Sequence, residues 1–170
     1  MFTTADLMPI KAIYHASFPE EEQRPWADLV ERVRSERIIL EKACDESGAV
    51  LGFATVWRFP GFSYIEHLAV DASARGLGVG GRLLDAVVHG EGKPVLVEVE
   101  PAATGDDARR RIAFYERHGF VQYPDFAYIQ PPYSPGLPEV PLMFMVSQNV
   151  GDDVLASMAA TLHREVYGNS

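Results

Sequence analysis

The 170-residue sequence contains one cysteine, Cys44, which excludes a disulfide within the chain. Long hydrophobic runs are missing as well. Stretches such as Pro141 to Val146 fall far short of the ~20 apolar residues that span a bilayer as a helix, so no membrane-embedded segment is expected. Positive charge is scarce, with 15 Lys and Arg against 24 Asp and Glu and a formal net charge of −9. That balance argues against non-specific nucleic-acid binding and favours neutral or cationic partners. No basic segment followed by an apolar stretch of signal-peptide length opens the sequence, so a cytoplasmic protein is expected. There is no linker-like stretch and no internal repeat. What remains is ordinary globular composition, 47% hydrophobic and 23% charged, in a chain long enough for one domain with one sizeable core.

Periodicity then orders the elements. Asp6 is placed to cap a helix with Leu7, Ile10, Ile13, Tyr14 and Phe18 on one face, and Trp26, Leu29, Val30 and Val33 repeat that spacing. Arg37 to Cys44 and Val50 to Phe59 read as strands around the hairpin-like Asp45 to Gly48, and Ser63 to Val70 extends the meander. Gly80 to His89 has helical spacing and Pro94 to Glu100 alternates as a strand, which makes a β-α-β unit with two parallel strands. A further helix spans about Asp106 to His118, with Gly119 at its C-cap and Asp106 or Asp107 capping its start. Strands over Phe120 to Ile129 and Leu142 to Ser147 flank a proline- and glycine-rich loop, Gln130 to Pro141. Val154, Leu155, Met158, Leu162 and Val166 form an apolar stripe on a C-terminal helix beginning near Asp152. The fold class is therefore α/β (α+β), with a mostly antiparallel sheet.

The segment Arg75 to Leu84 places Gly76, Gly78, Gly80 and Gly81 at the mouth of a helix just after a strand. Backbone N–H groups there can approach an anion closely, the helix dipole favours negative charge, and Arg75 and Arg82 add charged donors, so a phosphate or pyrophosphate site is expected. Gly76, Gly78 and Gly81 also satisfy G-x-G-x-x-G, with Glu100 where a dinucleotide fold keeps its ribose-binding acid. Against an NAD(P)-dependent oxidoreductase stand the spacer Asp71 to Ala74 and the shortage of parallel strands.

Two segments carry a family resemblance. Leu68 to Gly80 is similar to the Gln/Arg-x-x-Gly-x-Gly/Ala cofactor motif of the GNAT acetyltransferase superfamily, and Arg110 to Phe120 resembles its second cofactor-contacting helix, which carries a tyrosine before a Gly-aromatic strand entry. The order of elements over residues 1–147 resembles that fold too. The resemblance implies six to seven strands with a splayed central parallel pair, an acetyl-CoA (or other acyl-CoA) cofactor, no metal, and direct acyl transfer to a primary amine of a small molecule or peptide. It implies that Leu68, Ala69 and Val70 pair with the pantetheine arm and supply an N–H to the thioester carbonyl. Arg75, Gly76, Leu77, Gly78, Val79, Gly80, Gly81 and Arg82 then hold the pyrophosphate. Tyr115 matches the position of the acid that protonates the leaving thiolate. A catalytically silent acyl-CoA-binding module, a sensor or interaction partner, keeps the glycine loop and needs neither Tyr115 nor the acids.

Twofold alternation puts Tyr64, Glu66, Leu68 and Val70 on one strand face and Leu96, Glu98 and Glu100 on one face of the next. Glu98, then Glu66, is the expected general base, because neighbouring buried carboxylates raise each other's proton affinity. Glu100 at the strand end is expected to contact substrate, as are Tyr128 and Tyr133, lining a pocket with Phe126, Trp57 and Phe62. His67 is expected to face away from Glu66, and Cys44 to be a small buried residue. The expected organisation is a catalytic domain over 1–147, with the helix of 148–170 covering it or pairing with a second subunit as a homodimer.

Overall fold

The computed structural model describes residues 2–168. Met1, Asn169 and Ser170, at the outer bounds of the two expected units, lie outside the described residues. The chain runs α1 (Thr4–Ser17), α2 (Trp26–Arg34), β1 (Ile39–Cys44), β2 (Val50–Arg58), β3 (Ser63–Val70), α3 (Val79–Glu91), β4 (Val95–Val99), α4 (Asp106–Arg117), β5 (Val121–Gln130), β6 (Val140–Val146) and α5 (Asp152–Thr161), the last continued by a π-turn at Leu162–Val166. The six strands form one sheet in the order β1-β2-β3-β4-β6-β5. Only β3 and β4 run parallel, and α3 connects them.

Local chemistry accounts for the helix ends. Thr3, rather than Asp6, is the N-cap of α1: its hydroxyl accepts from the Asp6 amide at 3.2 Å while the Asp6 carboxylate accepts from the Thr3 amide at 2.7 Å, a reciprocal capping box. Gly105 precedes α4, with Asp106 and Asp107 in its first turn rather than at the cap, and Gly119 at φ +84° closes its far end.

Helices cover both faces of the sheet. Leu7, Ile10, Tyr14, Leu29 and Val33 of α1 and α2 pack with Leu155, Met158, Leu162 and Val166 of the C-terminal helix against Phe53, Tyr64, Leu96 and Phe144. On the other face Leu83, Leu84 and Val87 of α3 and Ile112 and Tyr115 of α4 cover Val56, Ile65, Val97 and Met145. The C-terminal stripe thus lies within the first core. Cys44 is exposed rather than buried: it is the last residue of β1, which lies at the edge of the sheet.

The feature that shapes the site is a β-bulge. Thr55 pairs with His67 but Val56 pairs with Ile65, which leaves Glu66 as an extra residue in β3. A bulge turns two successive side chains to the same side and bends its strand. Glu66 and His67 therefore both face the α1/α2 layer, and Leu68 packs on the α3/α4 side, contrary to simple alternation. The parallel pairing of β3 with β4 ends at Ile65 and Val97, immediately before the bulge, and beyond that point the two strands diverge.

Candidate active site

Two spaces open where β3 and β4 part. One is a groove of about 460 Å³ whose walls include Leu68, Ala69 and Val70 of β3, Arg75, and Arg110, Arg111 and Phe114 of α4. The other is a small pocket of about 50 Å³, room for a few waters, which shares Phe18, Leu68 and Arg111 with the groove and reaches Glu66, Glu98 and Tyr115.

The groove presents unpaired backbone donors. The Asp71 amide bonds to the Leu51 carbonyl at 2.8 Å and the His67 amide to the Thr55 hydroxyl at 3.0 Å, both on the β2 side. Strand alternation then turns the N–H groups of Leu68 and Val70 to the opposite edge, into the gap β4 has left. Further along, Gly76 and Gly78 adopt φ +80° and +74°, a left-handed conformation that favours glycine, and Gly78 leads into α3 with no side chain capping the first turn. The first amides of α3 are thus available to an anion. Leu77 between the two glycines is 63% exposed, and Arg82 braces the loop from outside by donating to the Leu77 carbonyl at 3.0 Å.

The other two glycines of the segment answer to packing. A Cβ on Gly81 would stand 2.9 Å from the His118 ring, and one on Gly80 3.4 Å from Val70 and 3.7 Å from Phe114. These positions let α3 approach α4 and β3 closely. Val79 is buried beneath them.

In the pocket two glutamates from adjacent strands sit on the same face in opposite surroundings. The Glu66 side chain is 0% exposed and is met by Arg24, itself 4% exposed, whose Nη2 and Nε lie 2.9 and 3.0 Å from Oε1. Tyr133 donates to the same oxygen at 2.9 Å, and the Trp57 indole donates to Oε2 at 2.7 Å. Burial pushes the Glu66 carboxyl up, but the guanidinium and these donors outweigh it and hold the group below the usual carboxylate range. Glu98 has no such cation. Tyr64 donates to its Oε1, as does Tyr167 at 2.7 Å, and Oε2 is buried without a partner. Burial dominates, the tyrosine hydrogen bonds offset it only in part, and the carboxyl is pushed up to about 7.

Around them, Tyr115 packs edge-on to Phe114 with ring centroids 5.2 Å apart, lies 5.3 Å from Phe120, and is pushed up to about 12 by burial, so its phenol keeps its proton at neutral pH. Glu100 and Glu22 flank the pocket with Arg111, and burial followed by the charge of Glu100 raises the Glu22 carboxyl. His67 shares the pocket with Glu66; its Nε2 donates to the Glu22 carbonyl at 2.9 Å, its Nδ1 lies 3.4 Å from the Thr55 hydroxyl, and burial lowers it. Tyr133 lines this pocket. Tyr128 does not: it packs on Phe144 at 4.3 Å behind Glu98, with its hydroxyl buried and unpartnered. Phe126 stacks on Phe144, and Phe62 packs on Phe59 away from the pocket. Arg24, Tyr64 and Tyr167 were not singled out by sequence reasoning. Their partners lie 42, 34 and 69 residues away, beyond any local pattern.

A family model described as "Acetyltransferase (GNAT) domain" matches residues 35–122. The Bacillus subtilis (strain 168) protein named "Putative acetyltransferase YjbC" is 34% identical over 112 residues, covering 65% of this chain and 56% of that protein, so the chain matches little more than half of that relative's length. Among solved structures, a "Putative acetyltransferase from GNAT family" from Bacteroides thetaiotaomicron is 33% identical, with a TM-score of 0.86 over 99% of this chain and 97% of its own. An aminoglycoside 6'-N-acetyltransferase complexed with coenzyme A, 17% identical, has a TM-score of 0.63 over 88% of this chain and 95% of its own, a likeness of fold alone.

Proposed function

Since the chain belongs to the GNAT acetyltransferase family, we propose that it transfers an acyl group, acetyl in the first instance, from acyl-CoA to a primary amine of a small molecule or peptide, with Glu98 as general base. The observation that carries this reading is the Glu98 carboxyl, buried at the pocket with one oxygen unpartnered and pushed up to about 7. A base whose proton affinity lies near the working pH combines a useful fraction of the ionised form with real driving force for proton uptake.

The residues present fit the cofactor. The groove has the length of strand, Leu68 to Val70, and the outward N–H groups that an amide-bearing pantetheine arm would pair with. Arg75 and the open first turn of α3 offer the pyrophosphate its donors. Acyl-CoA supplies the activated acyl group as a thioester. Glu98 accepts the proton that the acceptor ammonium must lose. One N–H of Leu68 or Val70 would face the carbonyl oxygen, where negative charge develops. Tyr115 gives its proton to the departing sulfur as the C–N bond forms and the C–S bond breaks, and recovers one from the nitrogen. Glu66, committed to Arg24, serves as wall rather than base, and Glu22, Glu100 and Tyr133 make a negatively charged, aromatic-sided entrance suited to a cationic acceptor. The reaction is expected to be cytoplasmic and metal-free.

Acetyl-CoA binding by calorimetry, followed by CoA release across a panel of amines, amino acids, aminoglycosides and peptides, tests the reading. Saturable acetyl-CoA binding and amine-dependent release are expected. A chain that does not bind acetyl-CoA contradicts the proposal, and one that binds it but releases no CoA with any amine is the silent module instead.

A further inference from the structure

We propose that the C-terminal turn belongs to the catalytic apparatus, with Tyr167 acting as a positioning residue that holds the Glu98 carboxylate and sets how readily it takes a proton. The inference rests on Glu98 being the base.

The geometry begins at the end of α5. Instead of closing as an α-helix, residues Leu162–Val166 widen into a π-turn, with the Tyr167 amide donating to the Leu162 carbonyl at 3.1 Å. One extra residue in a turn rotates everything after it by about 100°, and such π-turns recur at functional sites. Leu162 and Val166 anchor the turn in the core. Arg24 then clamps it, donating from Nη2 to the Val166 carbonyl at 2.6 Å with the same guanidinium that holds Glu66. The rotation delivers the Tyr167 hydroxyl to 2.7 Å from Glu98 Oε1 and 3.2 Å from the Tyr64 hydroxyl, with its ring 5.2 Å from that of Tyr133. A turn that only covered the sheet would need neither the rotation nor a phenol at its end.

Facing Glu98 are Tyr64 and Glu66 from β3, Tyr128 from β5, Tyr133 from the loop between β5 and β6, and Tyr167. Farther along the pocket stand Glu22, His67, Glu100, Arg111 and Tyr115. Among these the hydroxyls of Tyr64 and Tyr167 are hydrogen-bonded to the carboxylate, and these two, with the hydroxyl of Tyr128, favour its ionised form. Tyr64 is fixed inside the sheet. Tyr167 arrives from the far end of the chain and is the donor whose removal disturbs the core least.

Titration of the glutamate carboxyls by carbon-13 NMR in the intact chain tests this, with pH–rate profiles beside it. Tyr167→Phe keeps the ring and removes the donor, so the Glu98 midpoint is expected to rise from about 7 to about 8. The acid limb of kcat/KM should move with it to higher pH. Replacement of Tyr167 by 3-fluorotyrosine, a stronger donor of nearly the same shape, should move the midpoint the other way and guards against a phenylalanine variant that folds poorly. An unchanged midpoint in both variants, or a uniform loss of rate at every pH, overturns the inference. Glu98→Gln separates the two claims: if turnover survives that change the base assignment falls, while the NMR midpoints still decide whether Tyr167 controls Glu98.

Discussion

The two ends of the carboxylate pocket are built from the same residue type on the same sheet face, yet they have opposite electrostatics. At the Glu66 end a buried guanidinium, an indole and a phenol satisfy both oxygens, and the carboxyl stays ionised. At the Glu98 end phenols alone approach one oxygen, the other is buried without a partner, and the carboxyl is poised near neutrality. Burial is common to both. What separates a fixed charge from a carboxyl poised near neutrality is whether a cation was buried alongside.

Breaking the Glu98 end should have the largest effect. Glu98→Gln is expected to lower turnover by roughly 100-fold or more, the range of a general base, with acetyl-CoA affinity within about twofold, measured by CoA release and calorimetry. At the Glu66 end the expected damage is to stability instead. Arg24→Met leaves Glu66 buried without its cation and frees the Val166 carbonyl, so a loss of about 3–5 kcal/mol is expected in denaturant unfolding.

A third effect follows from linkage. The Glu98 carboxyl lies above its ordinary value of 4.5 in the folded chain, so folding is favoured by the proton it retains. That contribution is complete below about pH 4.5 and is lost as pH rises through about 7. Unfolding curves should therefore show Glu98→Gln gaining on the parent, by on the order of 3 kcal/mol, between those limits. Glu66, lowered on folding, has the opposite sign: its contribution is present at neutral pH and is lost as pH falls below the carboxylate range. The smallest effect sharpens the comparison from outside it. Gly78→Ala forces an alanine to φ +74° at the mouth of α3 and should cost about 1 kcal/mol and weaken acetyl-CoA binding, with both glutamate titrations unmoved.

What was legible in the sequence follows the range of the interactions. The glycine segment, the helix carrying Tyr115 and the crossover between β3 and β4 are each written in a dozen neighbouring residues, and the sheet with its parallel pair follows from them. Glu66 and Glu98 could be named as a pair with Glu98 placed first, but what sets them apart could not be read, because Arg24 and Tyr167 reach them across 42 and 69 residues. The bulge at Glu66 was hidden for a related reason. An extra residue is visible only against the partner strand, and one such residue reassigned Leu68 and His67 to opposite faces from those expected. Within the glycine cluster, Gly76 and Gly78 serve the loop conformation while Gly81 serves the contact with His118, a distinction composition does not carry.

The carbon-13 titration of the glutamate carboxyls in the parent chain, Glu98→Gln and Glu66→Gln tests the central claim most directly. The account predicts one resonance with a midpoint near 7 that disappears in Glu98→Gln, and a Glu66 resonance that titrates below the usual carboxylate range. A Glu98 carboxyl that titrates with the surface glutamates, or a midpoint near 7 that disappears in Glu66→Gln instead, would contradict it.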